Sequence, residues 1–135
     1  DGIKCSKGYI IINAGTISIN SEDEGIVASY DPSIETTPDY TIIPYITING
    51  GTISINTTYP AGTADADQRA HGIKTISNVT FNGGTTVIVT TGNKSDGINI
   101  DGTLTLKAGS IMIQAGDDCA KYAKLVDAGN ILTCL

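Results

Sequence analysis

Carboxylates recur at one point of a repeated phrase. Asp1 stands before Gly2-Ile3, Asp23 and Glu24 before Gly25-Ile26, Asp96 before Gly97-Ile98, and Asp117 and Asp118 before Cys119-Ala120. If the repeats stack, these acids lie one above another, and like charges so close are unfavourable unless something neutralises them. Calcium suits that task, because it accepts six to eight oxygens from carboxylates and turn carbonyls in a loose geometry. Asp23, Glu24, Asp96, Asp117 and Asp118 are therefore the expected metal ligands. Asp96, Asp117 and Asp118 form the strongest group, since they come from consecutive repeats. The competing reading is a set of ordinary turn carboxylates in water. Asp65 and Asp67 resemble the start of a helix-loop-helix calcium site, but no Gly or Glu follows at the required spacing, so they read as loop solvation.

Other chemistry is thinly represented. His71 and Arg69 are the only residues of their kinds, and His71 fills the corner slot that is acidic elsewhere, a position expected on a surface turn. Together they are the one pair that a lyase acting on uronic acids could use beside calcium; no nucleophile elbow, phosphate loop or zinc spacing is present, and no enzyme activity is expected. With 14 acidic against 8 basic residues the chain lacks the basic surface that nucleic acid requires. Tyr30, Tyr40, Tyr45 and Tyr59 fall in or beside two irregular stretches and offer faces for stacking on sugars, or else pin those stretches to the body. Cys5 reads as a small apolar filler. Cys119 replaces a turn glycine and Cys134 is placed on a polar corner row, so a bridge between them is conceivable, with the reduced state preferred.

The elements that must hold these residues follow from the repeat. Its first half begins at residues 1, 24, 71, 96 and 118; the second half carries Ala-Gly or Gly-Gly before a β-branched run, as in Gly50-Gly51-Thr52-Ile53. Spacings of 22 to 25 residues, with one of 47, describe five coils, the second lengthened by loops at 30–44 and 57–69 that hold all 4 prolines. Alternation with period two marks strands with one buried face. Three such strands per coil predict a right-handed parallel β-helix of about five coils, with Ile, Val and Leu inward. Expected inward positions in the last coil are Ala120, Tyr122, Val126 and Ile131. Asn13, Asn49 and Asn82 fall at one corner and Asn20, Asn56 and Gln114 at another, where amide side chains can bond from rung to rung.

By length the chain is one domain, residues 1–135, and it starts and stops within repeats, as expected of a piece of a longer protein or of a mature form trimmed at both ends. It contains no 18-residue apolar run, so no membrane span is expected. Exposed end coils would need cover, from the parent protein or from end-to-end packing with a neighbour.

The succession Asp-Gly-Ile, short strand, Gly-Gly-Thr-Ile-Ser-Ile-Asn and acidic pair before the next Gly-Ile resembles the carbohydrate-binding β-helix family of clostridial and Bacteroides cell-surface proteins. The resemblance covers the chain outside its two loops. It implies a relative of the pectate lyase fold that keeps calcium sites and binds plant polysaccharides such as pectin and cellulose without cleaving them, on a secreted or surface-attached protein. Asp23, Glu24, Asp96, Asp117 and Asp118 match the acidic pair. Ala70-His71 and Cys119 depart from it, which limits the metal sites to one or two. A structural or adhesive stalk that presents its loops to a protein partner is the alternative role, and a weak polysaccharide lyase the third.

Overall fold

The computed structural model describes residues 1–60 and 69–135; Asp65 and Asp67 lie outside the described residues. Each coil contributes three strands in chain order. These are β1 (Ile3–Cys5), β2 (Ile10–Ile12) and β3 (Thr16–Ser21) in the first coil, then β4 (Ile26–Ala28), β5 (Ile46–Ile48) and β6 (Thr52–Thr57) in the second. The third and fourth coils add β7 (Ile73–Thr75), β8 (Val79–Phe81), β9 (Thr85–Thr90), β10 (Ile98–Ile100), β11 (Thr103–Leu106) and β12 (Ser110–Gln114). The fifth adds β13 (Ala120–Lys121), β14 (Lys124–Asp127) and β15 (Leu132–Cys134). Every strand pairs in parallel with its counterpart in the next coil, giving three parallel sheets of five strands, the expected β-helix. The lengthened coil carries its loop between β4 and β5, with a 3-10 turn at Pro32–Ile34 in which the Asp31 carboxylate accepts the Ser33 N–H.

Like residues stack because register is set by the inward apolar row, and a slip of one residue would turn that row to solvent. Ile26, Ile73 and Ile98 form one buried column, and Ile48, Phe81 and Leu106 another. The corner glycines serve close packing. A Cβ on Gly25 would lie 2.6 Å from the Gly72 carbonyl and would collide with the Ile55 methyl; Gly72 with Ile88, and Gly97 with Ile113, repeat the conflict. The second glycine of each coil has another reason: Gly51 and Gly84 turn with φ of 98° and 84°, a left-handed conformation. At these turns the glycine, and not Asn49 or Asn82, takes the left-handed backbone, whereas in coil five Asn130, beside Gly129, takes it with φ of 47°.

The amide side chains do bond along the stack. Asn49 donates to Asn13 at 2.8 Å and Asn82 to Asn49 at 2.7 Å. At the other corner Asn56 donates to Asn20 at 3.2 Å, but Val89 follows in register, which separates Gln114 from that row.

The fifth coil corrects four expectations. Leu125, not Val126, aligns with the inward Leu104, and Tyr122 is exposed. Cys134 aligns with inward Ile113 rather than with the polar corner. In coils one to four a corner glycine packs against an isoleucine of the third strand; in coil five the same two positions are Cys119 and Cys134, and they are joined as a disulfide with Cα atoms 5.9 Å apart. The covalent bond takes the place of the Gly-to-Ile contact, so the preference for reduced thiols is overturned. Cys5 is free.

Candidate binding site at the charged corner

The turn leading into the first sheet is where the acids meet. Gly2 N–H donates to the Glu24 carbonyl, Gly25 N–H to that of His71, Gly72 N–H to that of Asp96, and Gly97 N–H to that of Asp118, at 2.9 to 3.0 Å. Asp1, Glu24, His71, Asp96 and Asp118 are therefore one column, one residue per rung. Its carboxylates divide into two groups on either side of His71. Asp1, Asp23 and Glu24 form one and Asp96, Asp117 and Asp118 the other, with oxygens of each group within 4.8 Å of one another. All five predicted ligands thus fall into these two groups.

Basic partners supply a neutralisation that the sequence reading passed over. The outward row of the first sheet is Lys4, Val27, Lys74, Asn99 and Lys121, in register. In four of five coils this row places an amine or amide three residues after the corner residue. Lys4 pairs with Asp1 at 3.1 Å; Asn99 donates to Asp96 at 2.5 Å; Lys121 lies 3.4 Å from Asp118 and 3.6 Å from Asp96. Val27 breaks the rule, and Glu24 instead receives Lys74 from the next rung at 2.8 Å. The spacing Asp1-Lys4, His71-Lys74, Asp96-Asn99 and Asp118-Lys121 was visible in the sequence as a second repeat.

The two groups differ in their electrostatics. Burial opposes ionisation of Glu24, yet hydrogen bonds with Asp23 and Lys74 prevail and hold its carboxyl at about 2. Its neighbour shifts the other way: the hydrogen bond to Glu24, followed by burial, raises Asp23 from its ordinary value. Lys121 is raised chiefly by Asp96, as expected for an ammonium lodged between acids. The donor set of each group, carboxylate oxygens crowded within 4.8 Å, matches the preference of a hard divalent cation.

His71 is not a surface residue. It is buried, and its Nδ1 accepts the Asp96 backbone N–H at 3.0 Å. That bond requires Nδ1 to be unprotonated, so the 3.5 Å approach of Nδ1 to the Asp96 carboxylate is not an ion pair. Burial, against the pull of Asp96, lowers the imidazole below its ordinary value, and the neutral ring carries its proton on Nε2. Asp96, 1% exposed, accepts the Asp118 N–H on its other oxygen at 3.1 Å.

Arg69, Lys74, Lys94 and Lys121 converge with His71 and Asn99 on a cleft of about 280 Å³ beside this corner, and Asp96 and Asp117 complete its wall. Arg69 and His71, paired in the sequence reading, do share this cleft. His71 has its Nδ1 occupied and offers only a donor.

The tyrosines are dispersed. Tyr30 is buried and its hydroxyl accepts the Asp39 N–H at 2.8 Å, so it pins the loop. Tyr40 is exposed, and Tyr59 is half-buried just past β6. Tyr45 stacks on Tyr9 with ring centroids 4.7 Å apart and planes within 2°. Tyr9 was missed, although Tyr9-Ile10 and Tyr45-Ile46 occupy the same register.

The described residues thus form a parallel β-helix with a charged corner and an adjoining polar cleft. A family model described as a carbohydrate-binding domain-containing protein matches residues 1–119, and the chain belongs to that family. Comparison with curated proteins and with solved structures gives no significant match. No helix among the described residues is long and apolar enough to cross a membrane.

Proposed function

We propose that the chain is a non-catalytic, calcium-assisted module that binds acidic plant cell-wall polysaccharide on a secreted or surface-attached protein. Family membership supports the carbohydrate. The observation that carries the calcium is the pairing of three carboxylates within 4.8 Å at two levels of one corner, with Asp23 so crowded that its ionisation is opposed. Asp23 and Glu24 with Asp1, and Asp96 with Asp117 and Asp118, would hold the ion. Bound calcium supplies positive charge that a glycan carboxylate can share. Without it, a chain of net charge −6 repels such a polymer at long range. Asp1, Asp23, Asp117 and Asp118 are exposed and would face an incoming ligand; Glu24 and Asp96 are buried and orient the turn.

Calorimetric titration of the chelator-treated protein with calcium, then of both forms with oligogalacturonide and cello-oligosaccharide, tests the reading. Calcium binding at one or two sites and at least tenfold tighter uptake of the oligogalacturonide by the calcium form are expected. Sugar binding indifferent to chelation would sink the calcium mechanism.

A further inference from the structure

The amide row at the corner after the second sheet carries a reactive chemistry of its own. Asn49-Gly50 and Asn82-Gly83 are the Asn-Gly pairs of the chain, and the fold places both in that row. An asparagine followed by glycine can close on itself, because no side chain on the glycine obstructs the approach of its backbone nitrogen to the asparagine Cγ. Both amides are exposed, and the Gly50 and Gly83 N–H groups donate to no acceptor among the described residues. The Asp-Gly pairs, which are open to the same ring closure, differ. Gly2, Gly97 and Gly102 donate their N–H groups to the carbonyls of Glu24, Asp118 and Ser77, so the nitrogen is occupied. Packing favours glycine in the Asn-Gly pairs: a Cβ on Gly50 would lie 3.0 Å from the Asn13 carbonyl oxygen, and one on Gly83 3.0 Å from that of Asn49.

We propose that Asn82 and Asn49 are sites of spontaneous deamidation, converted in that order. Hydroxide takes the proton of the Gly83 N–H, and the nitrogen attacks Asn82 Cγ. The N–Cγ bond forms, the Cγ–Nδ2 bond breaks, and Nδ2 leaves as ammonia after taking a proton from water. Water then opens the succinimide. Addition at Cγ gives aspartate, and addition at the backbone carbonyl carbon gives isoaspartate, which routes the chain through the side chain. The order follows from the hydrogen bonds that each amide must leave before its Cγ can swing toward the glycine. Asn49 is held twice, since it donates to Asn13 at 2.8 Å and accepts from Asn82 at 2.7 Å, whereas Asn82 only donates. One hydrogen bond of ordinary strength corresponds to about a fivefold difference in rate. Once residue 82 is a carboxylate it has no donor to offer, so Asn49 loses its second bond and the reaction passes along the row. Asn13 is followed by Ala14, whose methyl group obstructs the ring closure, and the row ends there. Each conversion adds one negative charge to a chain whose net charge is −6.

Wild-type protein kept in mildly alkaline buffer, folded and in urea, tests this by peptide mapping with mass spectrometry and isoaspartate detection. In the folded protein Asn82 is expected to convert about fivefold faster than Asn49, with Asn13 and Asn130 unchanged over the same interval. In urea Asn82 and Asn49 should convert at similar rates. Asn82→Asp, shown to be folded by its melting temperature, is expected to raise the rate at Asn49 about fivefold. The wild-type comparison stands without that variant. Folded wild type in which Asn49 keeps pace with Asn82, or folded Asn82→Asp with an unchanged rate at Asn49, overturns the order. Folded wild type in which neither reacts, while both react in urea, overturns the sites.

Discussion

The two acid groups occupy the same corner of the β-helix at different levels, yet they balance their charge differently, and the difference is traced to one outward residue. At Asp96 the sheet supplies Asn99 from its own rung and Lys121 from the next, and the Asp118 backbone N–H adds a further donor. At Glu24 the equivalent outward residue is Val27, so the lysine must come from the neighbouring rung and Asp23 is left crowding its partner. A repeat therefore sets positions without setting roles. Asp96 has become part of the framework, while the Asp23–Glu24 pair remains a charged feature of the surface.

Removing each acid separates these roles most sharply. Asp96→Ala takes away the acceptor for the Asp118 N–H and the Asn99 amide at a site that is 1% exposed, and unfolding in urea should show a loss of about 3 kcal/mol, the range for breaking a buried, hydrogen-bonded charge. Glu24→Ala loses the Lys74 contact but relieves the crowding at Asp23, so about 1 kcal/mol is expected. Equal costs would mean that the two sites are equivalent after all.

The pH profile gives a smaller contrast with opposite signs. Glu24, held at about 2, contributes stability that is full above its unfolded value near 4.5 and is lost as pH falls toward 2. Asp23, raised, contributes stability that is full below 3.8 and is lost as pH rises through its folded value, so the pair partly cancels around pH 4. His71 is lowered, which places its contribution fully above pH 6.5 and removes it as pH falls through the folded value. Melting temperature should therefore decline on acidification from pH 7 to 5, and His71→Asn, which keeps an acceptor for the Asp96 N–H, should flatten that interval. A wild-type curve already flat from pH 7 to 5 would show that the ring titrates normally.

Much of this was legible beforehand because stacking makes sequence spacing and spatial neighbourhood the same thing. Gly-Ile and the second glycine mark every rung, so the coils, the inward rows through coil four and the Asn13–Asn49–Asn82 ladder follow directly. Coil five lacks the first landmark. With Cys119 in place of Gly, the reading assigned Val126 and a corner Cys134 to positions that belong to Leu125 and an inward Cys134, and that shift hid the disulfide. The burial of His71 was hidden for another reason: a corner slot filled by acids elsewhere reads as exposed, whereas burial here depends on packing between rungs. Lysines three residues after the corner were visible but passed over, so the cleft that Lys74 and Lys121 line with Arg69 was not seen.

The mildest contrast concerns calcium at one of the two exposed members of each group. Asp23→Asn and Asp117→Asn remove one ligand each without touching buried Glu24 or Asp96, so stability should change by less than about 0.5 kcal/mol while calcium capacity at the altered group falls. The groups diverge when the nearby amine is removed instead. Lys121→Met deletes a cation that a calcium ion entering among Asp96, Asp117 and Asp118 must displace, and binding there should tighten several-fold. The same substitution leaves the Asp1, Asp23 and Glu24 group, whose amines are Lys4 and Lys74, with its affinity unchanged. Combining Lys121→Met with Asp23→Asn isolates the second group for calorimetry. If that double variant binds calcium no more tightly than Asp23→Asn alone, Lys121 is not the counterion that competes at this end of the corner.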